Sequence, residues 1–305
     1  MTVDDSSIQP ASPLGGGLLA RHPLISFFVM AYAFSWIAWS PWFLSEDGVG
    51  LLPYDPGGAA SWINIAALAL GPFMSAFIMT GVAEGRVGIS HFLRRFVLWR
   101  VGFQWYLVVL VGIPLMILLG TIVLPGATAS FEAVAVPSVL DYLSFFVLVL
   151  VFGGPLLEEP GWRGFALPRL QRLHGPLIGS IILGILWALW HLPQFFIPSW
   201  DTPKGTVLDI VWFTVFAISS TIIFTWVFNN TRGSLLMAIL AHTSINAFGT
   251  FLVGVFPAPI VTGSVINFVI GFGVAALLVV VFTRGHLGYQ NYRQEEDPDP
   301  AAAPT

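Results

Sequence analysis

The sequence predicts an all-α membrane protein: a polytopic bundle of about eight transmembrane helices with amphipathic interfacial helices. Three observations carry that reading. Hydrophobic residues make up 56% of the 305 positions, charged residues only 9%, and the mean hydropathy is +0.83. Apolar runs of ~20 residues recur, the length a helix needs to cross a bilayer. The aromatic share is 14%, with 12 Trp, which fits belts at the membrane interfaces. The chain has no cysteine, which excludes disulfides, cysteine metal sites and a thiol nucleophile. No cleavable signal peptide is expected, because the first residues are polar and then Gly-rich, with no basic stretch ahead of a short apolar core.

The expected spans are 24–44, 60–82, 105–124, 139–158, 176–196, 207–228, 234–253 and 262–282. Segment 90–104 differs: its apolar residues alternate with Arg94, Arg95 and Arg100, as in a helix lying in the interface. Segment 161–173, with Arg163, Arg169 and Arg172, reads the same way. Residues 1–20 and 287–305 are polar, Pro-rich or Ala-rich and are expected to be disordered cytosolic tails. Between them lie an N-terminal membrane region (21–138), a core (139–253) and a last span (254–286). No internal repeat is legible.

Orientation follows from arginine and lysine in short loops. With these spans, eleven of the 12 basic residues fall on one side with both termini, and only Lys204 falls on the other. The opposite loops carry Glu46, Asp47, Asp55, Glu132 and Asp201. Both termini are therefore expected in the cytosol, and the chain in a bacterial or archaeal plasma membrane.

Three polar blocks interrupt the apolar pattern. The first is Glu158-Glu159-Pro160-Gly161-Trp162-Arg163, closing the fourth span. Glu159 and Arg163 are four apart and can pair on one helix face. Pro160-Gly161 predicts a break there, aiming Glu158 inward while Arg163 holds Glu159 anionic. The second block is Trp187-Ala-Leu-Trp-His191, with Trp187 one turn before His191 and Pro193 set to kink the helix. The third is His242-Thr-Ser-Ile-Asn246, two polar side chains on one face, behind an Asn-Asn-Thr-Arg-Gly-Ser turn with Ser234 as N-cap. Each block alone also reads as structural: an ion pair at a helix end, or interhelical hydrogen bonds. Their coincidence favours a site. Of six histidines, His22, His91, His174 and His286 fall at span boundaries, whereas His191 and His242 lie inside spans. Ionisable groups at membrane depth mark function, and Glu with His suffices to activate water.

These blocks resemble the CPBP intramembrane proteases, also called the Abi or type II CAAX prenyl endopeptidase family. The family pattern is Glu-Glu-x-x-x-Arg, then aromatic-x-x-x-His, then His-x-x-x-Asn or Asp. Glu158-Glu159-x-x-x-Arg163, Trp187-x-x-x-His191 and His242-x-x-x-Asn246 follow it in order, with Trp187 where Phe is commoner. The resemblance implies an intramembrane endopeptidase with a cavity opening toward cytosol and membrane. It implies that Glu158 and His191 activate water, that His242 and Asn246 stabilise the oxyanion, and that Glu159, Arg163 and Trp187 support them. Glu158, His191 and His242 would be the ligands if a divalent metal such as zinc is used. The implied partners are the bilayer and a membrane-associated or prenylated protein or peptide, not nucleic acid. The competing readings are a non-catalytic scaffold or immunity factor of the same fold and a proton-coupled transporter. A conflict of geometry accompanies them. Glu158 ends a span near the cytosol, whereas His191 lies ~22 Å along its own helix from Pro176.

Overall fold

The computed structural model describes residues 17–131, 139–198, 206–256 and 265–296. Lys204, Glu132, Asp201, the first 16 residues and residues 297–305 lie outside them. Among the described residues there is no strand, and eight helical segments are long and apolar enough to cross a membrane. The protein is thus a polytopic all-α membrane bundle.

After one helical turn at Leu18–Arg21, the helices are α1 (Pro23–Leu44), α2 (Ala59–Phe96) and α3 (Phe103–Ile122). Helix α4 (Val139–Phe152) and helix α5 (residues 154–174) follow, then α6 (Pro176–Trp190), α7 (Val207–Asn230), α8 (Leu235–Val255), α9 (Ile266–Thr283) and α10 (Tyr289–Glu296). Local chemistry sets several ends. Thr206 and Asp209 form a reciprocal capping box at the start of α7. Ser234 caps α8 by accepting from the Met237 amide at 3.2 Å. Helix α8 runs through the centre of the bundle, touching α3, α4, α5 and α7.

The structure departs from the expected elements in four places. Segment 161–173 is not an interfacial helix. It is the middle of α5, built from Gly154–Glu159, a wide π turn Pro160–Ala166, and Leu167–His174, and residues 158–168 are buried. The chain breaks at Gly153 (φ −81°, ψ 176°) rather than at Pro160-Gly161. The π turn admits Pro160, which lacks an N–H and would crowd the carbonyl four residues back in a regular α-helix. Segment 90–104 is helical only as far as Phe96, in a helix that a kink at Gly85 sets off from the rest of α2. Arg95 within it is buried, donating to the Tyr292 hydroxyl at 2.8 Å. Finally, the segment expected to be a tail from 287 is helical over Tyr289–Glu296, because Tyr292 packs against Phe228 and is 1% exposed.

Helix α5 removes the geometric conflict. Gly175, at φ +76°, turns the chain directly from α5 into α6. Glu158 lies 16 residues before His174, and His191 lies 15 residues after Pro176. The two arms of this antiparallel hairpin, which pack closely beside the turn and are joined at the far end by the Trp187–Glu158 hydrogen bond, therefore carry Glu158 and His191 to one level, roughly 22 Å from the turn.

Candidate active site

Glu158 and Glu159 are adjacent on α5, so their side chains diverge by about 100° around the helix. Both are buried, at 5% and 0% exposed. Glu159 Oε1 accepts hydrogen bonds from Arg163 Nη1 at 3.0 Å and from His242 Nδ1 at 2.8 Å. Arg163 also donates to the Thr221 hydroxyl at 3.0 Å and lies between the rings of Trp187 and Phe224, 4.8 and 4.6 Å from their centroids. A buried carboxylate is tolerable only with such charged and polar partners. Glu159 thus ties α5 to α8, and Arg163 ties α5 to α7.

Glu158 points elsewhere. Its Oε2 accepts from the Trp187 indole N–H at 2.9 Å. Gly154 leaves the space for this carboxylate, since a Cβ there would stand 2.3 Å from Glu158 Oε1. Trp187 is the hub of the site. Its ring meets those of both His191 and His242 edge-on, each at 5.4 Å between centroids.

His191 follows the last residue of α6 rather than sitting inside a kinked helix. Pro193 cannot continue the α-helical ladder, and residues Leu192–Phe196 form a 3-10 turn instead. Its Nδ1 lies 2.8 Å from the Trp187 carbonyl. A carbonyl only accepts, so Nδ1 carries the proton and Nε2 offers a lone pair. The ring is walled by Trp190 and Phe213 at 4.7 and 5.0 Å. For His242, the bond to Glu159 likewise assigns a proton to Nδ1 and leaves Nε2 as the remaining ring nitrogen. Asn246, one turn further along α8, is half-buried, and its side chain makes no hydrogen bond among the described residues.

Glu158, Trp187, His191, His242 and Asn246 line one cavity of about 550 Å³. That size accommodates an extended peptide segment. Sequence reasoning missed Gln194. This residue lines the same cavity, is 1% exposed, and both its amide atoms lack partners among the described residues. A lone polar side chain three residues past His191 was its only signal. Thr221 was also missed, although the run Ser219-Ser220-Thr221 inside a span advertised a polar face. The donor types for a zinc site are present, yet among the described residues no three His, Asp or Glu side chains are grouped so as to hold one ion.

A buried carboxylate–histidine–arginine cluster thus adjoins a cavity inside a bundle of apolar, membrane-spanning helices. Residues 141–248, which include every residue of the cluster, match the model of the family described as "Type II CAAX prenyl endopeptidase Rce1-like". A CAAX prenyl protease 2 of Methanococcus maripaludis is 33% identical over 103 residues, 33% of this chain and 38% of that protein. The match thus spans well under half the length of that relative. Both similarities cover about a third of the chain, and the family match falls on the part that carries the three polar blocks.

Proposed function

We propose that the protein is an intramembrane endopeptidase that hydrolyses a peptide bond of a membrane-associated or lipidated protein or peptide. The observation that carries this reading is the division of labour between the two glutamates. Glu159 is committed to Arg163 and His242, while Glu158 faces the cavity with one indole N–H as its partner. A water between Glu158 and His191 loses a proton to one of these bases as its oxygen adds to the scissile carbonyl carbon. The imidazolium form of His242, paired with Glu159, presents Nε2–H to the developing oxyanion, and the Asn246 amide supplies a second donor. The tetrahedral species then expels the amine, which takes the proton back from the base. Donors fixed in a dry site are worth several orders of magnitude in rate. Glu159, Arg163 and Trp187 position these groups. Gln194 offers an N–H and a carbonyl to the substrate backbone.

Because the His and Glu side chains are not grouped around one point, no step is routed through a metal. The test uses purified wild type and Glu158→Gln in detergent. Both are offered a farnesylated CAAX peptide, the substrate type named by the archaeal relative, and a pool of bacterial transmembrane peptides. Glu158→Gln is expected to lose roughly 10²–10⁴-fold in kcat, the size of a general-base contribution. A strong chelator is expected to leave the wild type active, and its inhibition would replace the glutamate mechanism with a metal one. Absence of cleavage by folded wild type across the whole pool would favour the scaffold reading.

A further inference from the structure

Ten of the eleven arginines, all but Arg163, gather on one face of the bundle. The ends of α2, α5, α7 and α9 and the starts of α3, α6 and α8 form this basic face. Arg232 donates to the Arg100 carbonyl at 2.6 Å and Ser234 to the Leu98 carbonyl at 2.7 Å, tying its elements together. A second cavity, of about 280 Å³, lies on it between the second half of α2 and the C-terminal part of α5. This cavity shares no lining residue with that of the candidate active site. Its size is close to the lower end of small-ligand pockets, ~300 Å³, so it suits a headgroup better than a lone ion.

Three guanidiniums, those of Arg95, Arg169 and Arg172, line this second pocket with the His91 imidazole, against one carboxylate, Glu84. Glu84 pairs with Arg169. Arg95 is 9% exposed and donates to two neutral acceptors, the Tyr292 hydroxyl at 2.8 Å and the Gly164 carbonyl at 3.4 Å. Arg169 donates to the Phe165 carbonyl at 2.9 Å. Positive charge therefore exceeds negative in the lining, and an anion between like charges relieves their repulsion. The rim points to the kind of anion. Val87 and Leu173 stand next in sequence to the lining residues Gly88 and Arg172, and they are 82% and 66% exposed. A dissolved ion gains nothing from such side chains, whereas acyl chains cover them. Basic pockets between transmembrane helices are places where anionic headgroups bind.

We propose that this second pocket binds the headgroup of an anionic phospholipid, with the phosphate among the guanidiniums and the acyl chains against Val87 and Leu173. Arginine suits the role, because its planar fork meets phosphate oxygens in pairs. The carbonyls that Arg95 and Arg169 hold belong to the π turn that bears Arg163, so a bound headgroup also steadies that turn. The site is independent of the reaction proposed above. Full-length protein in detergent is offered phosphatidylglycerol, phosphatidylcholine or inorganic phosphate. Bound lipid is counted by native mass spectrometry, and thermal unfolding is followed in parallel. Phosphatidylglycerol is expected to be retained and to raise the melting temperature, and phosphatidylcholine to do neither. A basic residue beside an anionic lipid strengthens binding on the order of fivefold. Arg172→Gln, at an exposed position, is expected to lose about that factor, and Arg172→Lys, which keeps the charge, to recover most of it. Arg94→Gln removes an exposed arginine of the same face that does not line the pocket, and is expected to bind like wild type. Equal losses in Arg94→Gln and Arg172→Gln would reduce the effect to diffuse surface charge and overturn the pocket. Equal retention of the two lipids overturns the anionic headgroup. A full melting shift from inorganic phosphate, with no further gain from lipid, overturns the phospholipid in favour of a free anion.

Discussion

At the scale of residues, Trp187 distinguishes this site from a plain arrangement of glutamate and histidine. Its position in the family pattern is more often Phe, which would keep the ring edge against both histidines but not the N–H that reaches Glu158 Oε2 at 2.9 Å. A hydrogen bond to a charged acceptor contributes about 1.5–3 kcal/mol. Trp187→Phe is therefore expected to lower kcat by roughly tenfold or more with KM little changed, and to lower the melting temperature by no more than the loss of that one bond. Steady-state kinetics on a cleaved peptide read the split, and a fall in melting temperature without a fall in kcat would make Trp187 a packing residue only. The pairing of Glu159 with Arg163 was legible in the sequence because four residues is one helical turn. The bond from Glu159 to His242, 83 positions away, was not. Nothing local tells a carboxylate which distant imidazole will face it.

At the scale of elements, the hairpin of α5 and α6 sets the level at which Glu158 and His191 meet. Three arginines in 161–173 made that segment look interfacial, since spacing along a chain reports amphipathicity and not what lies opposite. Arg163 enters the interior because Glu159, Thr221 and two aromatic faces receive it there. The break that begins α5 falls at Gly153-Gly154-Pro155, a Gly-Gly-Pro signal that a reading by hydropathy alone passes over because apolar residues continue beyond it. Gly154 matters for what it lacks. Gly154→Ala puts a methyl group 2.3 Å from Glu158 Oε1, so the carboxylate must swing away. A displacement of about 1 Å in a reacting group can cost ~10²-fold in rate. The variant is expected to fold, to bind its peptide, and to lose about that factor in kcat. A normal kcat would show that Glu158 has another position from which it works.

At the scale of the whole molecule, the number of spans among the described residues was legible, because a run of ~20 apolar residues is a local signal that the bilayer itself enforces, although the fourth runs to His174 across a break at Gly153. What the pattern could not show is how the basic face is closed. The sequence after residue 287 is polar and reads as a tail, yet α10 returns to the bundle. Tyr292 packs against Phe228 with the rings tilted, its hydroxyl accepts from Arg95 at 2.8 Å, and the Arg95 guanidinium lies 5.6 Å from its ring centroid. Arg95 in turn reaches the Gly164 carbonyl, on the π turn that bears Arg163. The C-terminal helix is thus coupled to α5, which bears Glu158 and Glu159, through one buried arginine. Removing a buried aromatic ring costs about 3–5 kcal/mol, and Arg95 would lose one of its acceptors as well. Tyr292→Ala is expected to lower the melting temperature in detergent by several degrees. Tyr292→Phe, which keeps the ring and loses only the hydroxyl, should recover most of the difference. Thermal unfolding of the three proteins side by side measures this. Equal melting temperatures for wild type and Tyr292→Ala would mean that α10 rests on the basic face without holding it.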